Sequence, residues 1–244
     1  MPELREQLLK LNTEKDMTNI KEYIENHPKP DTDHFRDDAD HEIFNYLLKT
    51  KRSSKMLSKK ALARLNKEFF HIHYKDLHTH MFFRCNAESA RKISFSIKLI
   101  YYVSTPKGLL YFQIKDKDGI LIVKCYFSHF FDRLSERIEE KNRIDWLKQM
   151  LYKREPSSLI LDFNSFEAKT INSEGMILGK YMLYENPEDV KNIMLIITNQ
   201  TFISKDMFTT QQRDMYEKVS NKQLKSTENL MVIYPSSPRV YLKE

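Results

Sequence analysis

The sequence predicts an α+β protein: an antiparallel sheet with two central helices, preceded by a helical N-terminal part. Three observations carry this. Through residues 1–70, Leu and Ile recur at three- and four-residue spacing, the stripe of amphipathic helices. From residue 71 to 244, runs rich in Ile, Val, Phe and Tyr alternate with short turn-like links, the pattern of a meander. Between two such sets of strands lies SHFFDRLSERI, Ser128–Ile138, whose Phe130, Leu134 and Ile138 fall four residues apart, as on one face of a helix.

Residues 3–11 and 17–26 read as short helices marked by Leu4, Leu8, Leu9, Ile20 and Ile24. His27-Pro28-Lys29-Pro30 stops the second, because proline disfavours helix at the residue before it. The acidic stretch Asp31–Glu42 reads as a solvated linker into a helix N-terminus, where carboxylates are favourable. Helical spacing places His34, Asp38 and His41 as an alternative metal set. Glu42 to Phe70 then keeps helical periodicity through Ile43, Leu47, Leu57, Leu62 and Leu65.

The segment HIHYKDLHTH, residues 71–80, carries two His-x-His pairs. Residues two apart in a strand share a face, so His71 with His73, and His78 with His80, are candidates to chelate a metal. Either that or a wet structural face accounts for them. Strands follow at Met81–Arg84, Ile93–Ser104, Leu109–Ile114 and Ile120–Phe127, with Asp118-Gly119 as a tight hairpin turn. Ser128 is placed as the N-cap of the first central helix, and Ile144–Tyr152 makes the second, ended by Glu155-Pro156. A second strand set runs Leu159–Phe163, Ala168–Ile171, Met176–Tyr184 and Val190–Ile203. Gly179 inside the third of these marks a bulge or the close approach of another backbone. A helix capped by Ser204 and a last strand, Leu230–Tyr234, complete the chain.

Composition narrows the function classes. With 41% hydrophobic residues there is enough apolar surface for a sizeable core, yet just four glycines, and no Walker-type or dinucleotide loop. Two cysteines, Cys85 and Cys125, sit in apolar strand-like runs and suit a reducing, cytoplasmic setting without disulfides. The chain has neither an apolar N-terminal signal region nor an apolar run of about 18 residues, so neither secretion nor membrane insertion is expected. A net charge of +6 is compatible with nucleic acid. Between Lys49 and Lys67 every charged side chain is basic. Lys51, Arg52, Lys55, Lys59, Lys60 and Arg64 are candidate phosphate contacts through counterion release, or else a helix face that docks on the acidic stretch before it.

The most specific chemistry lies in the first central helix. His129, Arg133 and Arg137 fall at i, i+4 and i+8, so an imidazole and two guanidiniums share one face near a helix N-terminus, which favours an anion such as phosphate. The order of strand, His-x-x-x-Arg-x-x-x-Arg helix, second helix and antiparallel set ending in ITNQTF resembles the small ribonuclease toxins of the RelE and BrnT kind, over about residues 109–203. The chain departs from them in being about twice their usual size, in its long hairpin set before the helix, and in Asp132 and Glu136 among the arginines.

The resemblance implies metal-independent RNA cleavage without a cofactor: the ribose 2′-OH loses a proton, attacks phosphorus and leaves a 2′,3′-cyclic phosphate. His129 would be the acid or base, Arg133 and Arg137 would steady charge on the phosphorane, and Thr201 would match a threonine at the end of the last strand. Lys180 and Tyr181 are possible supporting groups. The alternatives are a non-catalytic nucleic-acid-binding module and a protein-interaction accessory factor of a phage or mobile element, its partner held by residues 1–70.

Overall fold

The structure, a computed structural model, describes residues 2–13, 20–27, 29–33, 35–49, 54–67, 70–89, 92–117, 119–136, 147, 157–186 and 189–234. Ten strands form one mixed sheet: β1 Phe70–Tyr74, β2 Thr79–Ser89, β3 Lys92–Thr105, β4 Gly108–Lys117, β5 Ile120–Phe127, β6 Ser158–Asp162, β7 Glu167–Asn172, β8 Gly175–Asn186, β9 Asp189–Ser204 and β10 Leu230–Ile233. Their spatial order is β1-β2-β3-β4-β5-β9-β8-β7-β6-β10. The described helices are short: α1 Pro2–Thr13, α2 Ile20–Asn26, α3 Asp38–Leu47, α4 Lys59–Lys67, α5 Ser128–Ser135 and α6 Thr210–Ser220. Among the described residues, no helix is long and apolar enough to cross a membrane.

This corrects the expectation of an antiparallel sheet with two central helices. The two meanders are there, β1–β5 and β6–β9, each with antiparallel neighbours joined by tight links. They meet along a parallel seam, with Ile120 of β5 opposite Ile193 of β9 and Tyr126 opposite Asn199. Turn residues specify only local hairpins; a parallel pair needs a long crossover, here the segment holding α5. Of the second expected central helix, the described residues include only Leu147, which is helical and fully buried.

Strand alternation divides the sheet into two faces. On one, Phe82, Ile100, Tyr111 and Tyr126 pack with Phe130, Phe131 and Leu134 of α5 and with Ile177 and Phe202 from the second meander. Each of those three α5 side chains is at most 3% exposed, so each contributes about 1.5–3 kcal/mol of burial that pins the helix. On the other face, Met81, Phe83, Leu99, Tyr101 and Val123 share a core with Leu8, Ile24, Ile43, Leu47 and Leu65 of the N-terminal helices. The α6 helix packs on that second face as well, its Val219 clustered with Ile160, Ile171, Met176 and Val232.

Two local expectations meet the structure closely, and two do not. Lys117 and Ile120 close a two-residue turn in which Gly119 takes φ 87°, a conformation that favours glycine. At Gly179 a Cβ would run into the Thr198 carbonyl oxygen, so another backbone does approach there. The expected helix from Glu42 to Phe70 is instead α3, a short turn at Ser54–Met56, and α4; Phe70 belongs to β1, paired with Phe83. The cap expected at Ser204 lies at Thr209, whose side chain accepts from the Gln212 N–H in a capping box.

Candidate functional site

The α5 helix starts straight from β5. Its N-cap is Phe127, without a side-chain cap bond, and the Ser128 hydroxyl instead donates to the Leu109 carbonyl at 3.1 Å. Ser128 is therefore tied back to β4 and does not cap the helix. His129 and Arg133 are both exposed, one turn apart, with the His129 ring stacked on Phe127 at 5.9 Å. Arg137 lies outside the described residues.

Thr201 is on the other side of the sheet. Opposite β8, Leu178 pairs with Thr201 and Gly179 with Asn199, so Gln200 is an extra residue in β9. Such a bulge inverts the alternation beyond it: Phe202 turns toward α5, and Thr201 turns away. Lys180 is exposed and, alternating with Tyr181, also faces away from α5. Tyr181 is buried, its hydroxyl donating to the Asp162 carbonyl at 3.3 Å. Among the described residues of the expected catalytic group, His129 and Arg133 thus share one helix face, and Thr201 lies across the sheet.

The basic block divides in the same way. Lys55 and Lys59 are exposed, and Lys51 and Arg52 lie outside the described residues. Arg64 turns inward, its guanidinium 2.6 Å from Asp37 and 2.7 Å from Asp40, while the Lys60 ammonium lies 2.9 Å from Asp37. The hydrogen bond from Arg64, then that from Lys60, holds the Asp37 carboxyl well below the usual carboxylate range. At Asp40 burial pushes the carboxyl up, but the Arg36 backbone N–H and the Arg64 and Arg36 side chains outweigh it and leave it lowered. Asp37 also caps α3, accepting from the Ala39 N–H. The acidic stretch is a docking partner for α4. Of the alternative metal set in that stretch, His34 lies outside the described residues.

The histidine segment forms the β1–β2 hairpin, with Lys75–His78 as its turn and His78 at φ 48°. Register and alternation put His71, His73 and His80 on the α5 face. His71 Nε2 lies 3.0 Å from His80 Nδ1, and the His73 ring stacks on His80 at 4.4 Å. His73 Nε2 lies 2.9 Å from the Tyr102 hydroxyl, and its Nδ1 lies 3.4 Å from an Asp31 carboxylate oxygen. His78 is exposed, its ring 5.2 Å from that of Tyr102. Burial pushes the Tyr102 phenol up, with smaller contributions from Tyr111, Asp31 and Asp76.

Among the described residues, no group of three His, Cys, Asp or Glu side chains is arranged to hold a metal ion. The two His-x-His pairs do not act as pairs, because His78 sits in the turn while the other three converge. A carboxylate, an imidazole and a phenol in a row can instead move a proton. Sequence reading missed Asp31 and Tyr102. The two-residue spacing of Ile100 and Tyr102 was the available signal for Tyr102; nothing local pointed to Asp31. No family model matches the chain, and no curated protein or solved structure matches it.

Proposed function

We propose that the protein is a metal-independent ribonuclease of toxin-like type, acting in the cytoplasm on RNA laid across the α5 face of the sheet. The observation that supports this reading is the half-buried row Asp31–His73–Tyr102, on the same face as α5 with its exposed His129 and Arg133. Acid–base chemistry then belongs to this row, and His129 and Arg133 serve as contacts for the phosphate. A donor aimed at charge growing on the phosphorane is typically worth about 3 kcal/mol. The reaction deprotonates the 2′-OH, forms the bond from that oxygen to phosphorus, and breaks the bond to the 5′-oxygen.

The test is incubation of the full chain with total RNA in the presence of a chelator. Cleavage leaving 2′,3′-cyclic phosphate ends is expected, and RNA left intact overturns the reading. A second reading, a nucleic-acid-binding module without chemistry, is favoured by the exposed Lys55 and Lys59 beside and on α4. Salt-sensitive RNA retention without cleavage would select it.

A further inference from the structure

We infer that Tyr102 is the catalytic residue that takes the proton from the substrate hydroxyl, with His73 and Asp31 as the positioning residues behind it. This rests on the ribonuclease reading for its substrate. Its geometry stands by itself. The Asp31 backbone N–H donates to the His73 carbonyl at 2.8 Å, so one backbone bridge places the carboxylate beside the ring it orients. The ionised Asp31 carboxylate, 3.4 Å from Nδ1, can only accept and so favours the tautomer with its proton on Nδ1 and the bare Nε2 toward the phenol. Tyr102 therefore donates to Nε2 and leaves an Oη lone pair for an incoming hydroxyl.

The groups facing His73 include the Asp31 carboxylate, the Tyr102 phenol and the His80 ring. His80 in turn is held by His71, and this stack limits rotation of the His73 ring. Tyr102 as a residue is half-buried and not sealed in the core.

In the reaction the substrate proton passes to Oη as the phenolic proton passes to Nε2. The phenol is regenerated, and an imidazolium forms facing Asp31. The freed oxygen bonds to phosphorus, the bond to the 5′-oxygen breaks, and that oxygen takes a proton from water. The imidazolium then returns its proton to solvent, so protons and charge balance over the cycle.

The experiment uses the full chain as wild type, Tyr102→Phe, His73→Gln and Asp31→Asn, with thermal unfolding as a control for folding. Tyr102→Phe keeps the ring and its packing, and should lower RNA cleavage by about 100-fold or more while leaving RNA affinity unchanged. The second readout needs no RNA: acetylation of Tyr102 by N-acetylimidazole, followed by peptide mass. Loss of the base in His73→Gln should slow it by roughly tenfold, with a smaller effect for Asp31→Asn.

If wild type and Tyr102→Phe cleave equally, the inference is overturned and the ribonuclease reading stands. If wild type does not cleave, that reading falls, and the acetylation ratio still decides whether His73 activates the phenol. Equal acetylation in wild type and His73→Gln overturns the relay whatever the RNA result. Should Tyr102→Phe fail to fold, the acetylation comparison of the other proteins decides alone.

Discussion

Replacing Arg64 by Met removes the guanidinium from the junction of α3 and α4 while keeping most of the side chain's apolar length. The Arg64 side chain is 14% exposed and that of Asp40 only 5%, so the pair is largely out of water. Deleting one partner of such a pair costs about 3–5 kcal/mol, because the remaining charge stays buried. Arg36 still donates to Asp40 from its backbone N–H at 2.8 Å and from Nε at 3.3 Å, which sets the expectation at the lower end, about 3 kcal/mol. For a chain of this size each kcal/mol moves Tm by about 2–4 °C, so a fall of about 6–12 °C is expected at pH 7. The pH dependence has a definite sign. Both carboxyls have folded values below their unfolded ones, so their stabilisation is present above about pH 4 and is lost as pH falls through the folded values. Wild type should therefore lose stability faster on acidification, and the gap between the two proteins should narrow toward pH 3. Thermal unfolding by circular dichroism at pH 7, 5 and 3 measures both. A shift under 2 °C at pH 7, or a gap constant down to pH 3, would refute the reasoning.

Gly179→Ala should destabilise by about 1–3 kcal/mol in thermal unfolding, because the new Cβ meets the Thr198 carbonyl and one strand must move. Reversing charge at Lys55 and Lys59 together should weaken RNA binding and flatten its dependence on log salt concentration by about 0.7 per lost phosphate contact, measured by fluorescence anisotropy. Burial pushes the Cys125 thiol up to about 11. Alkylation of Cys125 by iodoacetamide at pH 8 should therefore run at least ~100-fold slower in the native protein than in urea, followed by peptide mass.

The strands were legible because their signals are local. Asp118-Gly119, the NSEG link and the Ile/Val/Phe/Tyr runs between them place the hairpins by turn chemistry and strand propensity alone. Helix ends were less so. Phe70 continues the apolar spacing of the preceding segment, but in β1 it faces Phe83 across the hairpin and is 1% exposed. A tertiary partner decided what periodicity could not. The candidate site divides along the same line. Spacing alone put His71 and His73 on one strand face and a turn before His80. The carboxylate behind His73 comes from Asp31, in a stretch whose crowded acids read as solvated, and it arrives by one backbone bridge that carries no sequence signature.

The parallel seam accounts for the largest difference, and it left a trace. Strands covered on both faces lack the in–out alternation of a half-wet sheet and read as continuous apolar runs. Ile120–Val123 and Ile193–Ile197 are such runs, and they are the segments that pair in parallel at the centre of the sheet. Because β9 sits there, its bulge at Gln200 determines which side chains reach α5. One inserted residue turns Phe202 inward beneath the helix and sends Thr201 to the far face. A residue's place near the end of a strand therefore does not settle which face it serves, and the grouping of Thr201 with His129 failed on that point of parity.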